Sequence, residues 1–195
     1  MPGRSFPRAG GMATVISIFL VSRTVVWLLG LEFEATTLGW FWQYIDVDLL
    51  KNNLVQSLFY LHSQPRGFNL FLGGVLKLFP TQAVLAFSTI YFVCGLILSI
   101  SLFLLMCKVG ISVILSVFLM CLFLINPSTT LFENWLFYTY PVVTLLCLSA
   151  LCLHQYFLWI DLPIQHQGKK RLPSLYQLQT SCLLSRLCLG APGKS

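Results

Sequence analysis

Four long apolar runs, at residues 13–31, 83–106, 109–125 and 141–160, constrain this chain more than anything else in it. Each approaches the roughly 20 apolar residues that a helix, rising about 1.5 Å per residue, needs to cross about 30 Å of hydrocarbon. Runs so long and so uniformly apolar read as spanning helices. With 57% hydrophobic and 9% charged residues among 195, and a mean hydropathy of +0.82, nothing is left for a separate soluble domain. The expected fold class is an all-α integral membrane protein with four transmembrane helices and lumenal interfacial helices in the first loop.

Charge sets the sidedness. Four crossings place Arg4, Arg8, Lys108, Lys169, Lys170, Arg171, Arg186 and Lys194 on one side with Asp161 as the sole acid. Lys51, Arg66 and Lys77 fall on the other with Glu32, Glu34, Asp46, Asp48 and Glu133. Because cytosolic flanks of spans are enriched in Lys and Arg, both termini are expected in the cytosol and the acidic loops in a lumen. The endoplasmic reticulum membrane is the expected location. Residues 1–12 then form a cytosolic segment ahead of an uncleaved signal anchor, 13–160 the membrane module, and 161–195 a poorly ordered cytosolic tail. Counting residues 68–79 as a fifth crossing would carry Lys108 and the Lys169 cluster to the acidic side. That dozen, stopped by Pro80, suits an interfacial or re-entrant helix better. The basic residues form no aromatic-interleaved patch, so the expected partners are membrane lipid and a membrane protein, not nucleic acid.

Polar chemistry concentrates between residues 32 and 82, the first lumenal loop. Trp40, Phe41, Trp42, Tyr44, Phe59 and Tyr60 suit the headgroup level, where an apolar ring and a polar tip are both satisfied. Leu49, Leu50, Leu54, Leu58 and Leu61 recur at near-helical spacing and predict one amphipathic helix over 46–62, ended by Ser63, Gln64 and Pro65. Asp46 and Asp48 stand at its start. A carboxylate there can act as a general base or hold a divalent cation, which is compatible with the pair but not implied by it. Equally, an Asp at that position caps the helix.

The other candidates each carry two readings. Arg23 lies mid-span, where an ionisable group costs about 2.5–3.5 kcal/mol, so it is expected to face the bundle interior and meet a lipid phosphate, an internal acid or backbone carbonyls. His62, Gln64, Arg66 and Asn69 form a polar knot that lines a sugar or phosphate pocket or simply shapes a turn. Glu133 is the single acid of the second lumenal connection, 126–140, and reads as a substrate contact or as a solvated charge. The seven cysteines lie in or beside apolar runs or in the tail, with no metal-ligand spacing.

The order of an Arg-bearing first helix, a loop with Asp46 and Asp48, the turn HSQP, the short apolar helix ending LKLFP, and the later stretch NPSTTLFENWLFYTYP resembles the amino-terminal module of the GT-C glycosyltransferases. The likeness is closest to the branch of dolichyl-phosphate-mannose protein mannosyltransferases and bacterial lipid-linked sugar transferases, and covers residues 13–160. It implies inverting transfer of a hexose from a polyprenyl (dolichyl) phosphate donor to a lumenal acceptor. Asp46 is then the catalytic acid position, with Asp48 its near alternative and Arg23 or Arg66 beside the departing phosphate. Where that family has Pro-Pro-Leu this chain has Pro65-Arg66-Gly67, and the family continues for further spans. The chain is therefore expected to be a truncated transferase module, either active or inactive for want of those spans, or else a non-catalytic multi-pass subunit or scaffold.

Overall fold

A computed structural model describes residues 8–39, 44–60 and 65–166. Gly11, Val15, Phe19 and Arg23 of the first helix, α1 (Arg8–Leu28), recur every four residues and are all buried. Residues four apart stack on one helix face, so this stripe decides how α1 docks. It packs on α5 (Ala83–Val109) and α6 (Val113–Ile125) through a core of Val15, Phe19, Phe103, Cys107, Met120 and Leu124.

The first connection is more broken than its leucine pattern predicts. A 3-10 turn at Thr36–Gly39 is followed by two short helices, α2 (Val47–Asn52) and α3 (Leu54–Phe59), where one helix over 46–62 is expected. The break falls at Asn53 after Asn52, residues whose side chains compete with helical backbone hydrogen bonding. Leu50 and Leu54 turn inward and Leu49 outward. Next, α4 (Arg66–Leu78) buries Asn69, Leu72, Gly73, Val75 and Leu76 on one face against α2 and α3, and exposes Leu70 and Leu78. Burying such leucines stabilises by roughly 1.5–3 kcal/mol each. The helix stops just before Pro80, as its sequence predicts.

The third apolar run is shorter as a helix than as a sequence. Lys108 and Val109 belong to the end of α5, which closes on Gly110 in the left-handed conformation (φ 102°); Ser112 then caps α6. At the far end Pro127, lacking an N–H, ends α6, and α7 (Pro127–Glu133) leaves at 64°. Thirteen residues of α6 rise only about 20 Å. Among the described residues three helices, α1, α5 and α8 (Thr139–His166), are long and apolar enough to cross a membrane, and the bent α6–α7 pair makes a fourth candidate. The protein is thus all-α and multi-pass, with no strand among the described residues.

Two independent contacts fix the order of the ends. Gly11, at the start of α1, lies against Phe103 and Val113, near the α5–α6 turn. The two long connections meet at the other end, where Glu34 and Trp135 form an isolated parallel bridge: Glu34 N–H donates to Asn134 O (2.7 Å) and Leu136 N–H to Glu34 O (3.0 Å). Residues through Leu153 make one compact unit, and His154 onward a second, of which the described part is the last stretch of α8. That boundary falls before residue 161, where the composition changes.

Candidate functional site

Arg23 closes the inward stripe of α1 and meets Glu133 at the end of α7. Its Nε donates to Oε1 (2.8 Å) and one terminal nitrogen to Oε2 (2.6 Å), a two-pronged ion pair in which both side chains are at least 93% removed from solvent. The other terminal nitrogen donates to Ser22 Oγ (3.1 Å) and to the Leu124 carbonyl (3.0 Å), which lies in the last turn of α6. The guanidinium carbon also stands 4.9 Å from the centroid of the Phe19 ring. Tyr140 of α8 donates to Glu133 Oε2 (2.8 Å), so the carboxylate accepts three hydrogen bonds. Gly95 of α5 makes room for it: a Cβ there would lie 2.8 Å from both Glu133 Oε2 and the Tyr140 oxygen.

Of the readings open for Arg23, the internal acid and a backbone carbonyl are what it meets. Glu133 is not the solvated loop charge that its isolation in sequence suggests. The bend at Pro127 turns α7 back toward the bundle and buries it. Such a pair joins α1, α6, α7 and α8 around α5, between the α1–α5–α6 core and a second core built from the loops and α4.

The loop candidates are arranged differently. Asp46 caps α2, its Oδ1 accepting from Asp48 N–H (2.7 Å), while Asp48 itself is exposed in the first turn. No bond to Asp46 Oδ2 is made by a described residue. Asn69 is fully buried: Oδ1 accepts from Ile45 N–H (2.9 Å) and Nδ2 donates to Pro65 O (3.1 Å), which pins the backbone just before Asp46 onto α4. It shapes the turn. Arg66 opens α4 and is exposed. His62 and Gln64 lie outside the described residues. The structure therefore brings Arg23 to Glu133, and Asn69 to the backbone beside Asp46, without joining the two groups. No group of three metal-ligating side chains converges among the described residues.

Both loops are held by buried hydroxyls. The Leu136 carbonyl accepts from Thr37 Oγ1 (3.0 Å) and Tyr44 (2.8 Å), and Tyr91 donates to Phe137 O (2.8 Å). Burial pushes the Tyr44 phenol up to about 12, since the phenolate would lose its hydration. Glu34 moves the other way, held below the usual carboxylate range by hydrogen bonds from Thr36.

Beside the ion pair a cleft of about 1120 Å³ runs between the second half of α1 and the start of α5. Its walls include Leu20, Trp27, Val84, Leu85 and Phe92, all partly exposed on the outer surface of the bundle. Arg23, Glu133 and Asn134 supply polar groups, with Thr24, Glu32, Thr81, Gln82 and Ser88 around them. Asp46, Asp48 and Asn69 do not line it. Sequence reasoning missed Tyr140, Gly95 and the position of Glu32. Gly95 had a readable sign, being the one glycine inside the 83–106 run; Tyr140 had none, since its role depends on where α8 starts.

No protein-family model matches the chain, and neither a curated protein nor a solved structure resembles it significantly.

Proposed function

We propose that this chain is a membrane module that handles a polyprenyl-phosphate-linked hexose, in the manner of the GT-C transferases its sequence resembles. In this reading the Glu34–Trp135 end faces the lumen of the endoplasmic reticulum, α2–α4 lie at that membrane face, and both termini are cytosolic. The observation that carries it is the cleft: exposed apolar walls surround hydrogen-bonding groups at the end where the two long connections meet. A ligand with an isoprenoid tail and a polar head needs that combination. Asp46, one oxygen of which no described residue engages, is the base toward the acceptor hydroxyl. Arg23, already paired, shapes the cleft and does not clamp phosphate.

Purified chain in phospholipid nanodiscs with radiolabelled dolichyl-phosphate mannose or glucose and a hydroxyl acceptor tests the reading. Transfer is expected, and Asp46→Asn should reduce it at least a hundredfold. Absence of any Asp46-dependent transfer overturns catalysis. A second reading, a non-catalytic membrane subunit, is favoured by one specific observation: Arg23, Glu133 and Asn69 are all engaged within the protein. Its signature is a stable co-purifying membrane partner in the absence of transfer.

A further inference from the structure

One guanidinium and two carboxylates line the α1–α5 cleft: Arg23, Glu32 and Glu133. Arg23 is matched by Glu133 at 2.6 Å, so the surplus is the single negative charge of Glu32, an exposed residue with no hydrogen-bond or ion-pair partner among the described residues. Two helix ends add partial charges. The carboxyl end of α1, at Val26 and Trp27, is fractionally negative, and the amino end of α5, where Gln82 makes no side-chain cap, is fractionally positive. These partial charges offset one another, and the full charge of Glu32 decides the sign of the cleft. Trp27, 74% exposed on the same wall, adds the negative face of its indole, which attracts cations.

We infer that the α1–α5 cleft binds a long-chain amine, a single-chain amphiphile whose head is a primary ammonium and which carries no phosphate, the chemistry of a sphingoid base. An ammonium has donors and no acceptor, and Glu32 beside the carboxyl end of α1 receives it. The hydroxyl oxygens of Thr24 and Ser88 are neutral acceptors on the same lining, and the chain lies along Leu20, Val84, Leu85 and Phe92. A lipid whose phosphate adjoins its ammonium gains less, because the carboxylate that attracts one group repels the other a few bonds away. The inference goes beyond the hexose-handling reading: it concerns the same cleft with a different occupant, and it needs no transfer step.

Probes with one chain and three heads isolate the head chemistry. Native mass spectrometry of the whole chain, released from neutral micelles doped with octadecylamine, octadecanol or octadecyl phosphate in turn, reads occupancy directly. The amine is expected to be retained at least tenfold more than either of the others. Glu32→Gln should lower amine retention about tenfold, to the level of the alcohol, while Glu32→Asp, which keeps the charge, should hold it within about threefold. Glu34→Gln is the matched control, since it removes an equal charge two residues away and off the lining, and should change nothing. Ser88→Phe, which fills the cleft from α5, should abolish retention, and amine retained in that variant places the site elsewhere and overturns the assignment. Amine and alcohol retained alike overturn it, as does Glu32→Gln indistinguishable from Glu34→Gln. Phosphate retained above amine overturns it too, and makes the amino end of α5 the dominant feature. Phosphatidylethanolamine retained as well as the amine refutes the phosphate-free head. Amine retention without Asp46-dependent transfer refutes the transferase reading and leaves the cleft assigned; transfer without amine retention does the converse.

Discussion

Replacing one member of the Arg23–Glu133 pair leaves the other charged and buried, and that asymmetry can be measured. With charge centres about 4 Å apart and an effective dielectric constant near 20, the attraction is about 4 kcal/mol. Removing one partner of a buried pair typically costs about 3–5 kcal/mol, because the survivor keeps its desolvation penalty and loses its compensation. Arg23→Met and Glu133→Gln are each expected to destabilise by that amount. Arg23→Met strands the carboxylate with Tyr140 alone, while Glu133→Gln leaves the guanidinium with neutral acceptors at best. In the double variant no buried charge remains, so most of the loss should return, with a coupling of at least about 2 kcal/mol. Reversible unfolding in mixed micelles, followed by far-ultraviolet circular dichroism, gives all four free energies. Losses that simply add to within about 0.5 kcal/mol would show that the two side chains are energetically independent and would refute the account of the pair as the joint of the bundle.

Two further outcomes follow from neighbouring features. Gly95→Ala places a methyl group against Glu133 Oε2 and the Tyr140 oxygen, and should lower stability by about 1–3 kcal/mol; an unchanged melting temperature would contradict the close approach. The Tyr44 phenol titrates near 12 when folded and near 10 when unfolded, so the stability linked to its proton is complete below pH 10 and is lost as pH rises through 12. Between pH 9 and 11.5 the protein should therefore lose up to about 2 kcal/mol more than Tyr44→Phe does, and equal losses would refute the burial argument.

What the sequence made legible is what depends on local pattern and length. The runs at 13–31, 83–106 and 141–160 correspond to α1, α5 and α8, and the dozen residues ending at Pro80 to α4. The inward orientation of Arg23 followed from the cost of exposing a guanidinium to lipid. Its choice of partner did not, because Glu133 is 110 residues away and reaches it through the bend at Pro127. Asp46 showed the same ambiguity: capping and catalysis call for one residue type at one place, and only coordinates reveal the bond to Asp48 N–H. Glu32 carried no local signal at all, since its surroundings come from α5, some fifty residues later.

The shortness of α6 bears on where such a protein can reside. A rod of about 20 Å is shorter than the roughly 30 Å hydrocarbon core, so α6 is long enough for a crossing only together with α7, which leaves it at 64°. A crossing with so short a straight rod is matched by compressing the surrounding lipid, at a fraction of a kcal/mol for each ångström of hydrophobic mismatch. Thick, sterol-rich membranes resist that compression most, so a crossing built on the bent α6–α7 pair costs least in a thin bilayer.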